Sequence, residues 1–144
     1  MNNNDGFSLI ELFVILVLIS IGAFIAFSGW NSPENRVRSA AFQVAADLRS
    51  ARSEAVKRDE KVLLCKTGNH SYQIKTGSGL YITGIKEVDE EADNSTRVRL
   101  GFSYSGGCVT FSPLGSSSNG HIIISLGTIS RSVITNRSGR IKVQ

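Results

Sequence analysis

Apolar and polar positions divide this chain into three stretches with different periods. Positions 7–27 are almost unbroken in apolar character, 21 residues in all. At about 1.5 Å per residue this is roughly 30 Å of helix, the thickness of a bilayer's hydrocarbon core. The run is longer than the roughly 7–15 apolar residues of a secretory signal, and no small-x-small cleavage site follows it. The pattern therefore predicts a membrane helix that stays on the protein. Gly29, Ser32 and Pro33 then predict a bend or break over 28–33. From Arg36 the period becomes helical, with Val37, Ala40, Ala41, Val44, Leu48, Ala51 and Ala55 at steps of three and four. Arg38, Asp47, Arg49, Arg52 and Lys57 fall mainly off that stripe. The expected second helix covers 34–58 and continues the first as one interrupted rod.

After Lys61 the pattern changes to short runs between turn signals. The expected strands are 61–66, 72–75, 80–85, 98–104, 108–111, 121–125, 131–135 and 140–143. Eight such runs imply antiparallel sheets, and packing them on the amphipathic helix gives an α+β domain. The expected division is a leader at 1–6, a membrane helix at 7–30, an amphipathic half at 31–60 and a β-rich globular domain at 61–144.

Composition adds little until it is read by position. Fourteen glycines against two prolines suit a turn-rich β region. The net charge of +4 is unevenly spread. Glu87, Asp89, Glu90, Glu91 and Asp93 form one acidic run, while Arg97, Arg99, Arg131, Arg137, Arg140 and Lys142 follow with no further acid. A basic end attracts phosphate or acidic protein surfaces, or is a solvated face. Cys65 and Cys108 both follow the apolar run, so export would favour a disulfide, and a cytosolic location free thiols. Cys65/His70 and Cys108/His121 lack the paired spacing of a structural zinc site. There is no nucleophile motif and no glycine-rich phosphate loop. No metal, no cofactor and no enzymatic activity is expected.

Glu11 does not suit a plain anchor, because a carboxylate at the middle of a membrane costs about 2.5–3.5 kcal/mol and less near the interface. It needs a partner cation or access to the headgroups. The string Gly6-Phe7-Ser8-Leu9-Ile10-Glu11-Leu12 resembles the processing site of type IV prepilins and type II secretion pseudopilins. The resemblance implies that a prepilin peptidase cuts between Gly6 and Phe7 and methylates the new N-terminus. The resulting amine has an ordinary pKa near 8 and is largely cationic at neutral pH. In a filament Glu11 would face that amine on a neighbouring subunit. Implied partners are other pseudopilins or pilins, the peptidase, an inner-membrane assembly platform and membrane lipid. The implied location is the bacterial inner membrane, single-pass, with the C-terminal domain in the periplasm and later in the filament. Leaders of this family usually carry Lys or Arg. Here there is none, and Arg36 and Arg38 stand on the far side of the span, so the orientation follows from the motif and not from charge.

A second resemblance is independent of the first. The run from Ala46 to Ala55, with its Leu48-Arg49, Ala51-Arg52 and Glu54-Ala55 pairs, is similar to the helix before the first strand in the GspH/FimT branch of pseudopilins. Val109 to Gly115, Gly120 to Ile124, Arg131 to Ile134 and Gly139 to Lys142 are similar to the same branch's C-terminal half. The branch implies one of two roles. On the GspH side, the protein is a minor pseudopilin of a type II secretion pseudopilus, working in protein secretion. On the FimT side, it is a minor pilin of a type IV pilus, where some members bind DNA through a C-terminal Gly-Arg-x-Arg motif. Here Gly139-Arg140-Ile141-Lys142 has lysine in place of the second arginine, which keeps the charge and loses the bidentate fork. Arg137 stands nearby. Against DNA binding, Arg140 and Lys142 on an edge strand would serve to deter sheet-to-sheet pairing.

Overall fold

The computed structural model describes residues 8–28, 32–89 and 97–144, with the side chains of 25–28 left aside. Two compact units emerge, Met1–Ser32 and Pro33–Gln144. In the first, α1 (Leu9–Ser28) is the product of the apolar run. Every described side chain of α1 is exposed, including Phe13 at 62% and Phe24 at 78%. Its side chains are described from Leu9 to Phe24, about 24 Å of helix at 1.5 Å per residue. Among the described residues no helix is long and apolar enough to cross a membrane. The join at 29–31 lies outside the described residues, and so does the expectation of one interrupted rod.

The second unit opens with α2 (Pro33–Arg58). Pro33 occupies the first helical position, where its missing N–H would have had no partner. Glu34 in the first turn and Lys57 and Arg58 in the last complement the helix dipole. The helix stops at a Schellman closure. Asp59 adopts φ 52°, its N–H donates to the Val56 carbonyl (3.4 Å), and the Glu60 N–H donates to the Ala55 carbonyl (3.3 Å).

Among the described residues eight strands follow: β1 (Val62–Lys66), β2 (Ser71–Thr76), β3 (Lys86–Glu87), β4 (Arg99–Phe102), β5 (Cys108–Phe111), β6 (Gly120–Leu126), β7 (Ile129–Thr135) and β8 (Ile141–Val143). They form two antiparallel four-stranded sheets, ordered β3-β2-β1-β5 and β4-β6-β7-β8. The chain changes sheet between β3 and β4, between β4 and β5 and again between β5 and β6. The stripe Val37, Ala41, Val44, Leu48 and Ala51 is fully buried. It meets Leu64, Tyr72 and Phe111 of the first sheet and Ile122, Ile124 and Val133 of the second in one core. The alanines let the helix approach both sheets closely. Among the described residues, every buried member of the core lies in this unit.

Two expectations need correction. The segment 80–85 is not a strand. Tyr81 makes an isolated bridge to Lys75, and the Ile82 and Thr83 N–H groups both donate to the Ile74 carbonyl. Leu80, Tyr81 and Ile85 are each more than 60% exposed, so no alternating buried face forms. The short β3 comes just after instead. The second correction concerns Asp47, expected on the polar face of α2, which is buried at 9% exposure.

Candidate functional site

The helix segment, the β5–β6 turn and the β7–β8 turn come together at Arg52. Gly115 (φ 76°) and Gly139 (φ 75°) both occupy the left-handed region. A Cβ on Gly139 would stand 2.0 Å from the Gly115 carbonyl oxygen and 2.9 Å from Arg52 Nε. A Cβ on Gly115 would meet Arg52 Nε at 3.2 Å. The two turns therefore close on one another over the guanidinium, and only glycine fits the closest point. Polar bonds hold the same closure. Ser117 Oγ donates to the Asn136 carbonyl (2.7 Å), and the Ser117 N–H donates to the Arg137 carbonyl (3.3 Å). Asn136 Oδ1 accepts from the Arg140 N–H (2.9 Å) and from Ser138 Oγ (2.8 Å).

This closure fixes where the basic residues sit. Arg137 and Arg140 are exposed on the tight β7–β8 turn, and Lys142 is exposed on β8, an edge strand. Arg49, Arg52 and Lys57 line a shallow hollow along the outside of α2 with Ser53 and Val56. Nothing in the linear sequence shows that Arg52, Gly115 and Gly139 touch. The available signal is that each lies in one of the segments that carry the second resemblance.

A second polar cluster joins α2 to the first sheet. Tyr72 Oη donates to Asp47 Oδ2 at 2.5 Å, and Lys86 Nζ donates to Asp47 Oδ1 at 2.6 Å. Burial pushes the Tyr72 phenol far above its ordinary value, and the hydrogen bond and negative charge of Asp47 push it the same way. Eleven residues earlier on α2, Arg36 forms an ion pair with Asp89. Asp89 Oδ2 also accepts from the Val98 N–H (3.3 Å), and Arg97 pairs with Glu87 at 2.6 Å. Two ion pairs of opposite polarity thus tie the segment around β3 to the helix. Sequence reasoning missed this role for Asp47 because a lone aspartate on an amphipathic helix reads as solvent-facing.

Cys65 and Cys108 are directly opposed on β1 and β5. They form a disulfide with Cα atoms 4.1 Å apart. Among the described residues no group of three or more His, Cys, Asp or Glu is placed to hold a metal. His70 Nδ1 lies 2.8 Å from the Val98 carbonyl, and His121 is exposed on β6. Glu11 is exposed in the first turn of α1, its N–H donating to the Ser8 carbonyl at 2.9 Å. Gly6 and Phe7 lie outside the described residues.

The sequence model of the family described as Type II transport protein GspH matches residues 40–139. Among solved structures, the chain is similar to the type IV minor pilin FimU of Pseudomonas aeruginosa PAO1 in two crystal forms. In space group P21 the identity is 20% and the TM-score 0.62, covering 76% of this chain and 89% of that one. In space group P65 the identity is 18% and the TM-score 0.58, covering 74% and 91%. At such identities the likeness establishes a shared fold. No curated protein sequence matches.

Proposed function

The chain belongs to the Type II transport protein GspH family, and from that premise we propose that it is a minor pseudopilin of a type II secretion pseudopilus. The family and the FimU-like fold make it a pilin-like structural subunit. The match across residues 40–139, which include the closure over Arg52, is the observation that carries the secretion reading. In this reading 1–6 is the leader, 7–30 the membrane helix, 31–60 the amphipathic half and 61–144 the periplasmic domain. The large apolar side chains exposed on α1 from Leu9 to Phe24 need lipid before assembly and neighbouring helices after it. A disulfide between Cys65 and Cys108 fits an oxidising periplasm.

Prepilin peptidase would cut after Gly6, and Glu11 would meet the methylated amine of Phe7 on the next subunit. Such a pair sets axial register more than raw stability, because desolvation offsets much of the Coulomb gain. Glu11→Ala should leave membrane insertion intact and lower incorporation into filaments. Normal incorporation would remove the pairing role.

The test of the whole reading is a deletion strain. Loss of protein secretion with surface piliation intact supports the secretion role. Loss of pili with secretion intact would move the protein to the type IV pilus side. Mass spectrometry of the native protein should show an N-methylated Phe7 as its first residue. The FimU likeness and the exposed Arg137, Arg140 and Lys142 favour the second reading, a FimT-like minor pilin that binds DNA during uptake. Such binding would be weak and salt-sensitive, and a mobility-shift assay that shows no change on Arg140→Ala would exclude it.

A further inference from the structure

One groove has a chemistry that the subunit role does not use. It lies between α2 and β8 and is lined by Arg38, Phe42, Arg49, Arg131, Lys142 and the strand residues Ile141 and Val143. Three arginines, Arg38, Arg49 and Arg131, meet here, with Lys142 on the strand at the groove's rim, and the acid paired with any of these cations among the described residues is Glu34, 3.6 Å from Arg131. Phe42 is 51% exposed, with the Arg38 guanidinium 5.8 Å from its ring centroid.

The strand side of the groove is an open edge. β8 pairs with β7 alone among the described residues. Ser132 and Gln144 exchange both backbone hydrogen bonds, at 3.0 and 2.8 Å. In an antiparallel ladder such pairs alternate, so the next one is Ile134 with Lys142, in the observed register. The N–H and C=O groups of Ile141 and Val143 therefore point away from β7. Ile141 and Val143 turn their side chains toward α2, and Lys142 turns to the opposite face.

We propose that this edge accepts an extended acidic segment of a neighbouring filament subunit as an added strand. Main-chain hydrogen bonds to Ile141 and Val143 would hold it, with alternate side chains meeting Arg38, Phe42 and Arg49 on one face and Lys142 and Arg140 on the other. Both faces are cationic, so an acidic strand fits on either side. Two β8 edges would repel one another, which deters the pairing of identical copies and leaves the edge open to the opposite charge. A lipid headgroup or a nucleic acid would satisfy the cations but would leave the alternating backbone groups unused. The identity of the partner rests on the filament-subunit reading; the existence of the edge site does not.

The probe is a fluorescein-labelled peptide of alternating glutamate and valine, added to the full chain in detergent micelles. We expect saturable binding that weakens with salt, and hydrogen-exchange protection gained at the Ile141 and Val143 amides. The Lys142 amide is already paired and serves as the internal control. Arg38→Glu with Arg49→Glu should lower affinity by about tenfold or more, and a lysine-valine peptide should bind that variant better than the original protein. N-methylation of alternate peptide backbone nitrogens should abolish binding. Equal binding of the methylated peptide, or no protection gained at Ile141 and Val143, overturns strand addition. Binding of anionic vesicles or single-stranded DNA with none of the peptide overturns it as well. Normal incorporation into filaments beside a failed peptide experiment would refute the edge site and leave the subunit role standing.

Discussion

Gly139→Ala tests the closure over Arg52 directly. Two effects add at this position. At φ 75° an L side chain meets the following carbonyl, at about 1–2 kcal/mol. The new Cβ would also stand 2.0 Å from the Gly115 oxygen, inside any distance real carbon atoms keep. That oxygen cannot swing aside easily, because the Gly115 N–H donates to the Ser112 carbonyl (2.9 Å) and the Ser112 N–H to the Ser116 carbonyl (2.9 Å). Overpacking of this kind costs about 1–3 kcal/mol, so we expect a total near 2–5 kcal/mol. Gly127→Ala isolates the backbone effect. Its φ is 61° and nothing lies within 4 Å of the added carbon, so it loses only the first part, about 1–2 kcal/mol. Urea unfolding followed by circular dichroism measures both. With a urea slope of about 1–3 kcal/mol/M, the contact itself should make the midpoint of Gly139→Ala about 1 M lower than that of Gly127→Ala. Equal midpoints for the two variants would refute the reasoning and reduce Gly139 to an ordinary turn glycine. Gly115→Ala, which presses on the flexible end of Arg52, should fall between them.

Two further outcomes follow from the polar and covalent ties. Replacing Cys65 and Cys108 together by alanine opens a loop of sequence separation 43. The chain-entropy relation makes that about 4 kcal/mol, and a urea midpoint unchanged by the double substitution would contradict it. Tyr72, held far above its ordinary pKa by burial, contributes stability that is present below the unfolded tyrosine pKa near 10 and is lost as pH rises past it. Tyr104 shifts the same way through burial. Each such phenol adds about 1.4 kcal/mol per pH unit of alkaline slope. Tyr72→Phe should flatten the loss of stability above pH about 10 by one such share, and identical slopes would show that the phenol ionises freely in the folded state.

Most of the secondary structure is legible in the periodicity of the sequence. The steps Val37, Ala41, Val44, Leu48 and Ala51 trace the buried face of α2, and alternation locates β5 to the residue. Where it misled, at 80–85, apolar residues sit in a solvent-facing turn. Leu80-Tyr81-Ile82 has strand composition, but the segment hydrogen-bonds to Ile74 and Thr76 without lying along a ladder. Asp47 escaped for the opposite reason. A carboxylate is buried only when partners reach it, and those partners, Tyr72 and Lys86, are 25 and 39 residues away. The closure of Gly115 on Gly139 is likewise a meeting of two turns, which no local spacing encodes.

The exchange of strands between sheets bears on how this subunit comes apart. β4 lies in one sheet, β5 in the other and β6 back beside β4, so the chain between Phe102 and Gly120 laces the two layers like a stitch. Neither layer can peel away while the other stays intact, and the Cys65–Cys108 bond fastens the stitch where it enters the sheet of β1. The second unit, pulled along a growing fibre, would therefore resist as a single block and give way all at once.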